Sequence, residues 1–204
     1  MILAPLRGVT IRCFRESFAE ALDEYGFTDA VTPFITANAG VDPLKDRELR
    51  GVSPSESALK ITPQFIGKDP AALKYCLERI KGAGFDTADL NCGCPFPMVR
   101  NKFRGSGILK TRDVFEKMIA TGCEVMGEGA FSIKVRLGVE KSDEFLSLVS
   151  IVNSYPLRFL TVHARTAKQM YEGECDIGAF RAIADVVKVP LVYNGDAFLE
   201  SGGI

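Results

Sequence analysis

The chain has 204 residues, 47% of them hydrophobic and 25% charged, a composition that buries enough apolar surface to offset chain entropy and excludes an intrinsically disordered protein. A formal net charge of −1 with a pI of about 6.0 excludes the global basic field that drives non-specific phosphate binding, so a nucleic acid would have to meet a local patch. The cysteines at 13, 76, 92, 94, 123 and 175 show no Cys-x-x-Cys spacing, which excludes the usual zinc ribbon and suits reduced thiols.

One domain is expected, a monomer with no membrane association. The start, Met1-Ile2-Leu3-Ala4-Pro5, carries no basic stretch ahead of an apolar run, and no run reaches the ~18 apolar residues of a membrane span; a cytoplasmic location is expected.

Short β-branched or aromatic runs alternate with segments of helical period, the pattern of repeated β-α units around a parallel sheet. In chain order the expected strands are 2–5, 28–34, 62–67, 87–91, 132–137, 159–163 and 190–194, with an eighth missing. Between the third and fourth, Asp69-Pro70 supplies an N-cap and a proline for the first helical position, opening a helix over 71–81 that Gly82 and Gly84 end. Further helices are expected over 111–126, 142–154 and 177–187, the first two capped by Thr111 and Ser142.

Such alternation fits an open doubly wound sheet and a closed (β/α)₈ barrel equally. The polar residues separate the two. Strand ends carry Gln64, Asn91 to Cys94, Lys134 with Arg136, His163 with Arg165, and Asn194 with Asp196. A barrel gathers such ends at one mouth, whereas an open sheet uses mainly one crevice, so a TIM barrel with about seven β/α units is predicted.

The most informative segment is Asp89-Leu90-Asn91-Cys92-Gly93-Cys94-Pro95, which places a thiol directly after a buried strand in a turn shaped by Gly and Pro. Cysteine often acts as a small hydrophobe, which is the reading for Cys92. Cys94 lies past the strand, where packing offers it little. A thiol serves as nucleophile when ionised or as general acid when protonated, the majority form near its unperturbed pKa of about 8.5. The only histidine, His163, is on another strand, so a Cys/His hydrolase pair is possible on residue types, but no third member or oxyanion site is evident.

Leu90-Asn91-Cys92-Gly93-Cys94-Pro95, then Arg104-Gly105-Ser106-Gly107, Lys134-Val135-Arg136-Leu137-Gly138, Val162-His163-Ala164-Arg165-Thr166 and Asn194-Gly195-Asp196, with Ala4-Pro5-Leu6 at the start, resemble the tRNA-dihydrouridine synthases in order and spacing. The resemblance implies an FMN-bearing barrel over 1–204, reduced by NADPH, that passes a hydride to C6 of a flipped-out uracil in tRNA while Cys94 protonates C5. It further implies that Pro5, Leu6 and Arg7 lie along the flavin, that Gln64, Lys134 and His163 contact it, and that Asn194, Gly195 and Asp196 lie near its ribityl and phosphate. Asn91 and Arg165 would face the uracil and the RNA. Basic clusters at Arg100, Asn101, Lys102 and Arg104, and at Arg165 with Lys168 on the sixth loop, would border the mouth.

The start departs from the family pattern, with Leu6 where methionine is more frequent and Ile11 where an acidic residue is, so the hydrogen bonding around Arg12 is expected to differ. The sequence closes on Gly202-Gly203-Ile204, where an eighth strand, a Gly-Arg phosphate loop and a helical RNA-binding domain would follow; weaker flavin binding is expected of the chain alone. A flavin barrel acting on free pyrimidines has a similar Asn-x-x-Cys-Pro loop, and an inactive barrel that binds RNA or a partner is the alternative outside the enzymes.

Overall fold

The computed structural model describes residues 1–56 and 59–196. Its strands are β1 (Ile2–Leu3), β2 (Asp29–Val31), β3 (Ile35–Thr36), β4 (Ser55–Glu56), β5 (Leu59–Thr62), β6 (Gln64–Ile66), β7 (Ala88–Cys92), β8 (Phe131–Gly138), β9 (Leu160–Thr166) and β10 (Leu191–Asn194). Helices α1 (Arg12–Ser17), α2 (Ala19–Glu24), α3 (Pro70–Gly82), α4 (Pro97–Arg100), α5 (Arg112–Met126), α6 (Val149–Val152) and α7 (Ile177–Ala184) lie between them.

One ladder runs β1-β2-β5-β4 and another β10-β9-β8-β7-β6-β3. They are one curved wall, because β2 with β3, and β5 with β6, are single extended chains interrupted at Pro33 and Pro63. Proline has no N–H to give a ladder. Thr32 bridges the interruption: its amide donates to the Thr62 carbonyl at 3.0 Å and its hydroxyl accepts the Gln64 amide at 3.1 Å. The wall is parallel throughout except for the β4–β5 hairpin. This is the predicted (β/α)₈ architecture with seven strand positions filled, open between β1 and β10 among the described residues. The expectation about an eighth strand falls on the chain end, beyond the described residues.

Side chains alternate along the wall as strand geometry requires. Leu90, Cys92, Ile133, Val135 and Val162 face the helix layer and pack with Leu73, Leu77 and Ile80 of α3 and Phe115, Met118 and Ile119 of α5. Asp89, Asn91, Ser132, Lys134, Arg136, Thr161, His163 and Arg165 take the other face, toward the barrel axis. The floor of the barrel is laced by Arg158, which donates to Asp29 at 2.5 Å and to Thr62 at 3.2 Å, while Thr62 and Thr87 share a hydrogen bond of 2.9 Å.

Helix α3 starts as predicted, the Asp69 carboxylate accepting from the Ala71 amide. Elsewhere the expectations need correction. Thr111 precedes α5, but its hydroxyl donates back to the Ile108 carbonyl instead of capping the helix. The helix expected over 142–154 is a 3₁₀ turn, Glu144–Leu148, followed by the short α6. Glu144 explains this: its carboxylate gathers the Val139, Glu140 and Lys141 amides and tightens the chain before a helix can begin. Helix α7 ends at Ala184, and Asp176 caps its start. Strand β9 runs on through Arg165 and Thr166, since pairing with β8 resumes past an irregularity at Arg136/Gly138; Arg165 is therefore a strand residue, not a loop residue. No helix among the described residues is long and apolar enough to cross a membrane.

Candidate functional site

The C-terminal strand ends converge on one mouth, and the segment after β7 is its most tightly held part. The Asn91 side-chain carbonyl accepts the Gly93 amide at 3.1 Å and the Cys94 amide at 2.8 Å. On the carbonyl side, Arg136 Nε donates to Gly93 O at 3.0 Å, and Ser106 donates to Cys94 O through its hydroxyl at 2.9 Å and its amide at 3.1 Å. Gly105, in the left-handed region at φ 54°, lies against this turn so closely that a Cβ would stand 2.7 Å from Cys94 Cβ. The Arg104-Gly105-Ser106-Gly107 motif is thus the clamp on the cysteine loop.

Cys94 is buried in this clamp. Burial raises its thiol above the ordinary value, against the opposing pull of the Phe96 amide and the Arg136 and Arg7 cations, so it is protonated at neutral pH. Cys92, two residues earlier, faces the helices with no exposure at all, and burial pushes its thiol up much further.

Asn91 and Gln64 do not stand free in the mouth. Asn91 Nδ2 donates to Gln64 Oε1 at 2.9 Å, Gln64 Nε2 donates to Asp89 Oδ2 at 2.7 Å, and the Ser132 hydroxyl donates to Asp89 Oδ1 at 2.6 Å. Burial pushes the Asp89 carboxyl up to about 6, with the hydrogen bonds from Ser132 and Gln64 and the charge of Lys134 working the other way.

Lys134 makes no hydrogen bond or ion pair with any described residue. With Pro5, Asn194, Tyr193 and Asp89 it lines a cavity of about 30 Å³ inside the barrel. Burial, and then the nearby Arg136, pull its ammonium down to about 8. His163 is pulled down to about 3 by burial and by the Arg136, Lys134 and Arg165 charges, and is neutral at physiological pH. Pro5 leads into a turn at the rim, where the Leu6 amide donates to the Thr10 hydroxyl at 2.8 Å and the Arg7 guanidinium lies 5.1 Å from the Phe34 ring centroid. Arg12 pairs instead with Glu16 at 2.6 Å.

Arg165 is committed within the protein. Its two terminal nitrogens grip Asp196 at 2.9 and 2.7 Å, and it donates to the Gly173 carbonyl at 2.7 Å. The guanidinium in turn lowers the Asp196 carboxyl. Gly195, at φ 149°, passes so close to Cys175 that a Cβ would sit 2.5 Å from its sulfur. Lys168 pairs with Glu140 at 3.7 Å, so the second predicted basic cluster is neutralised by its own acids. The first is not. Arg100 and Lys102 flank the exposed Phe96, Met98 and Phe103, and the Lys68 ammonium lies 5.6 Å from the Phe103 ring centroid.

The sequence places Asp89 and Ser106 inside motifs and Arg136 at the barrel mouth without a specific role for any of them, and gives no signal for Ser132, although the period-two alternation with Asn91 and Lys134 puts Asp89 and Arg136 on the axial face. Arg136 is almost fully buried and joins three carbonyls, those of Gly93, Thr166 and Met170, with Tyr171 against its guanidinium. Among the described residues no group of His, Cys, Asp and Glu is arranged to hold a metal.

The family model described as Dihydrouridine synthase (Dus) matches residues 2–201. The tRNA-dihydrouridine synthase B of Vibrio vulnificus (strain CMCP6) is 27% identical over 197 residues, 96% of this chain and 59% of that protein. The tRNA-dihydrouridine synthase B of Salmonella typhimurium is likewise 27% identical, over 96% of this chain and 60% of that protein. The chain therefore spans about 60% of the length of these curated relatives. Among solved structures, an old yellow enzyme homologue from Zymomonas mobilis aligns with TM-score 0.66 over 97% of this chain and 78% of that one, at 12% identity. Morphinone reductase aligns with TM-score 0.62 at 10% identity, over 97% and 77%. Identities this low speak to the fold alone.

Proposed function

Since the chain belongs to the dihydrouridine synthase family, we propose that it is the catalytic barrel of an enzyme that reduces uridine in tRNA to 5,6-dihydrouridine, with FMN as cofactor and NADPH as reductant. When bound, FMN supplies the hydride to C6 of the uracil. The observation that carries the reading for this chain is Cys94: a thiol kept protonated by burial and clamped at the barrel mouth, suited to deliver a proton to C5.

The residues present fit a flavin. A partly buried ammonium without an acceptor among the described residues, Lys134, suits the electron-rich edge of an anionic ring system, and a neutral His163, whose Nε2 accepts from Arg165 at 3.4 Å, keeps its Nδ1–H as a donor beside it. Pro5, Leu6, Arg7, Asn194, Gly195 and Asp196 complete the proposed cofactor contacts, whereas Gln64, fully buried with its oxygen on Asn91 and its nitrogen on Asp89, supports the site from behind. Asn91 keeps one amide hydrogen that no described residue accepts, and this is its proposed contact with the uracil. Arg165, held by Asp196, would present the pair to the RNA. A uracil reaches such a mouth only when extruded from its stack, and the exposed Phe96, Met98 and Phe103 among Arg100, Lys102 and Lys68 form the surface proposed to receive the flanking RNA. The relatives' names favour tRNA over the free pyrimidines that the Asn-x-x-Cys-Pro loop left open. A monomer acting in the cytoplasm is part of the same proposal.

The test is a matched pair of variants. Cys94→Ala is expected to slow dihydrouridine formation by about 10² to 10⁴ while leaving flavin reduction by NADPH intact. Cys92→Ala removes a helix-facing packing group and is expected to lower stability while sparing turnover. Normal turnover in Cys94→Ala defeats the assignment.

A further inference from the structure

The hydrogen bonds that hold the Cys94 loop form a chain that runs back to a buried carboxylate. Asp89 is 1% exposed and its carboxylate only accepts, so the Ser132 hydroxyl and the Gln64 amide nitrogen must both point at it. That choice turns the Gln64 oxygen toward Asn91, whose nitrogen must then face Gln64. The Asn91 oxygen is left facing the loop, where it accepts the Gly93 and Cys94 amides. The other anchors, Arg136 and Ser106, hold carbonyl oxygens of the loop. Among the described residues only Asn91 holds the Gly93 and Cys94 amides. An amide can be turned end for end at almost no steric cost, and nothing in Gln64 or Asn91 themselves fixes which way they lie. The polarity is fixed at both ends, by the carboxylate that can only accept and by the Gly93 and Cys94 amides that can only donate.

We propose that Asp89 is a positioning residue that acts through Gln64 and Asn91 to set the orientation of the Cys94 loop. This rests on the reading of Cys94 as the proton donor only for its consequence in turnover; the orientation itself is a property of the chain.

Asp89→Asn can keep an acceptor toward Gln64 only by turning its own nitrogen on the Ser132 hydroxyl, which must then accept and give its proton to the Ala88 carbonyl at 3.4 Å, so a carboxylate that cannot be reversed is replaced by an amide that can and the restraint on the chain's direction is weakened. Gln64→Glu sets two buried carboxylates against each other. The double exchange Asp89→Asn with Gln64→Glu restores the original direction: the amide introduced at position 89 accepts from Ser132 and donates to the carboxylate introduced at position 64, which also accepts from Asn91.

The experiment measures iodoacetamide alkylation of each cysteine across pH by peptide mass, in the full chain without flavin or RNA, with exposed Cys13 as internal control. Each single variant is expected to change the Cys94 rate about fivefold or more, the factor that one net hydrogen bond corresponds to. The double variant should return it to near the wild-type value with Cys13 unmoved. If Asp89→Asn does not fold, Gln64→Glu against the double variant carries the same comparison. An unchanged Cys94 rate in the single variants, or a double variant no nearer wild type than the worse single, overturns the proposal. Because alkylation needs no substrate, a wild-type protein unable to make dihydrouridine would sink the functional reading and leave this one to stand on the Cys94 rates.

Discussion

His163 gives the sharpest quantitative test of how dry the barrel mouth is. Its folded value is pulled down to about 3 from an ordinary 6.5 by burial and the cations of Arg136, Lys134 and Arg165. The unfolded chain therefore takes up a proton at this residue below pH 6.5 while the folded chain does not, and stability is lost as pH falls through that value until the folded group also titrates. Between pH 7 and pH 5 the loss works out at about 2 kcal/mol, set almost entirely by the unfolded side of the cycle. Asp89 pulls the other way: with its folded value raised to about 6, the folded state binds a proton first on acidification and regains about 1 kcal/mol over the same interval. The wild-type protein should thus lose less stability in mild acid than His163 alone would cause, because the two titrations oppose each other. His163→Gln removes one of them. Urea unfolding at pH 7 and pH 5 should show the variant faring about 2 kcal/mol better than wild type in the change between the two pH values. A difference below about 0.5 kcal/mol would mean that His163 titrates as if hydrated, and the account of a desolvated, cation-lined mouth would fall with it.

Lys134→Ala should weaken flavin binding about tenfold or more, since it removes a charged hydrogen-bond donor that has no partner among the described residues; quenching of flavin fluorescence on titration measures it, and an unchanged dissociation constant excludes the contact. Gly105→Ala forces a Cβ to within 2.7 Å of Cys94 Cβ at a left-handed backbone position, and should cost about 1–3 kcal/mol in urea unfolding and shift the Cys94 alkylation rate. A variant with wild-type stability and thiol reactivity would show that the clamp yields freely.

The strands of the wall and the two kinds of cysteine were legible because both follow a period of two: Leu90 and Cys92 face one way, Asp89 and Asn91 the other. Convergence of polar strand ends was legible for the same reason. The breaks at Pro33 and Pro63 were not, because a β-rich run reads as continuous whether or not one residue lacks its N–H. The short helices α1 and α2 gave too few turns for an apolar stripe to declare itself. The role of Asp89 was not legible because its partners lie 25 and 43 residues away in Gln64 and Ser132, and no window of sequence shows that a carboxylate helps to orient two amides. Arg165 and Lys168 read as free cations since their acids, Asp196 and Glu140, arrive from 31 and 28 residues off by way of the fold.

The lacing of the barrel floor bears on the order in which the molecule assembles. Arg158 and Asp29 are 129 residues apart, and bringing two such points together costs about 4 kcal/mol in chain entropy even for an ideal loop. A part-exposed ion pair returns about 1 kcal/mol at most, so it cannot recruit its own ends. It closes only after the intervening β-α units have stacked side by side and shortened the effective loop to the width of the barrel. The contact is therefore a latch thrown at the end of folding. Its loss should fall on the rate at which the finished wall comes apart and leave the rate at which it forms nearly untouched.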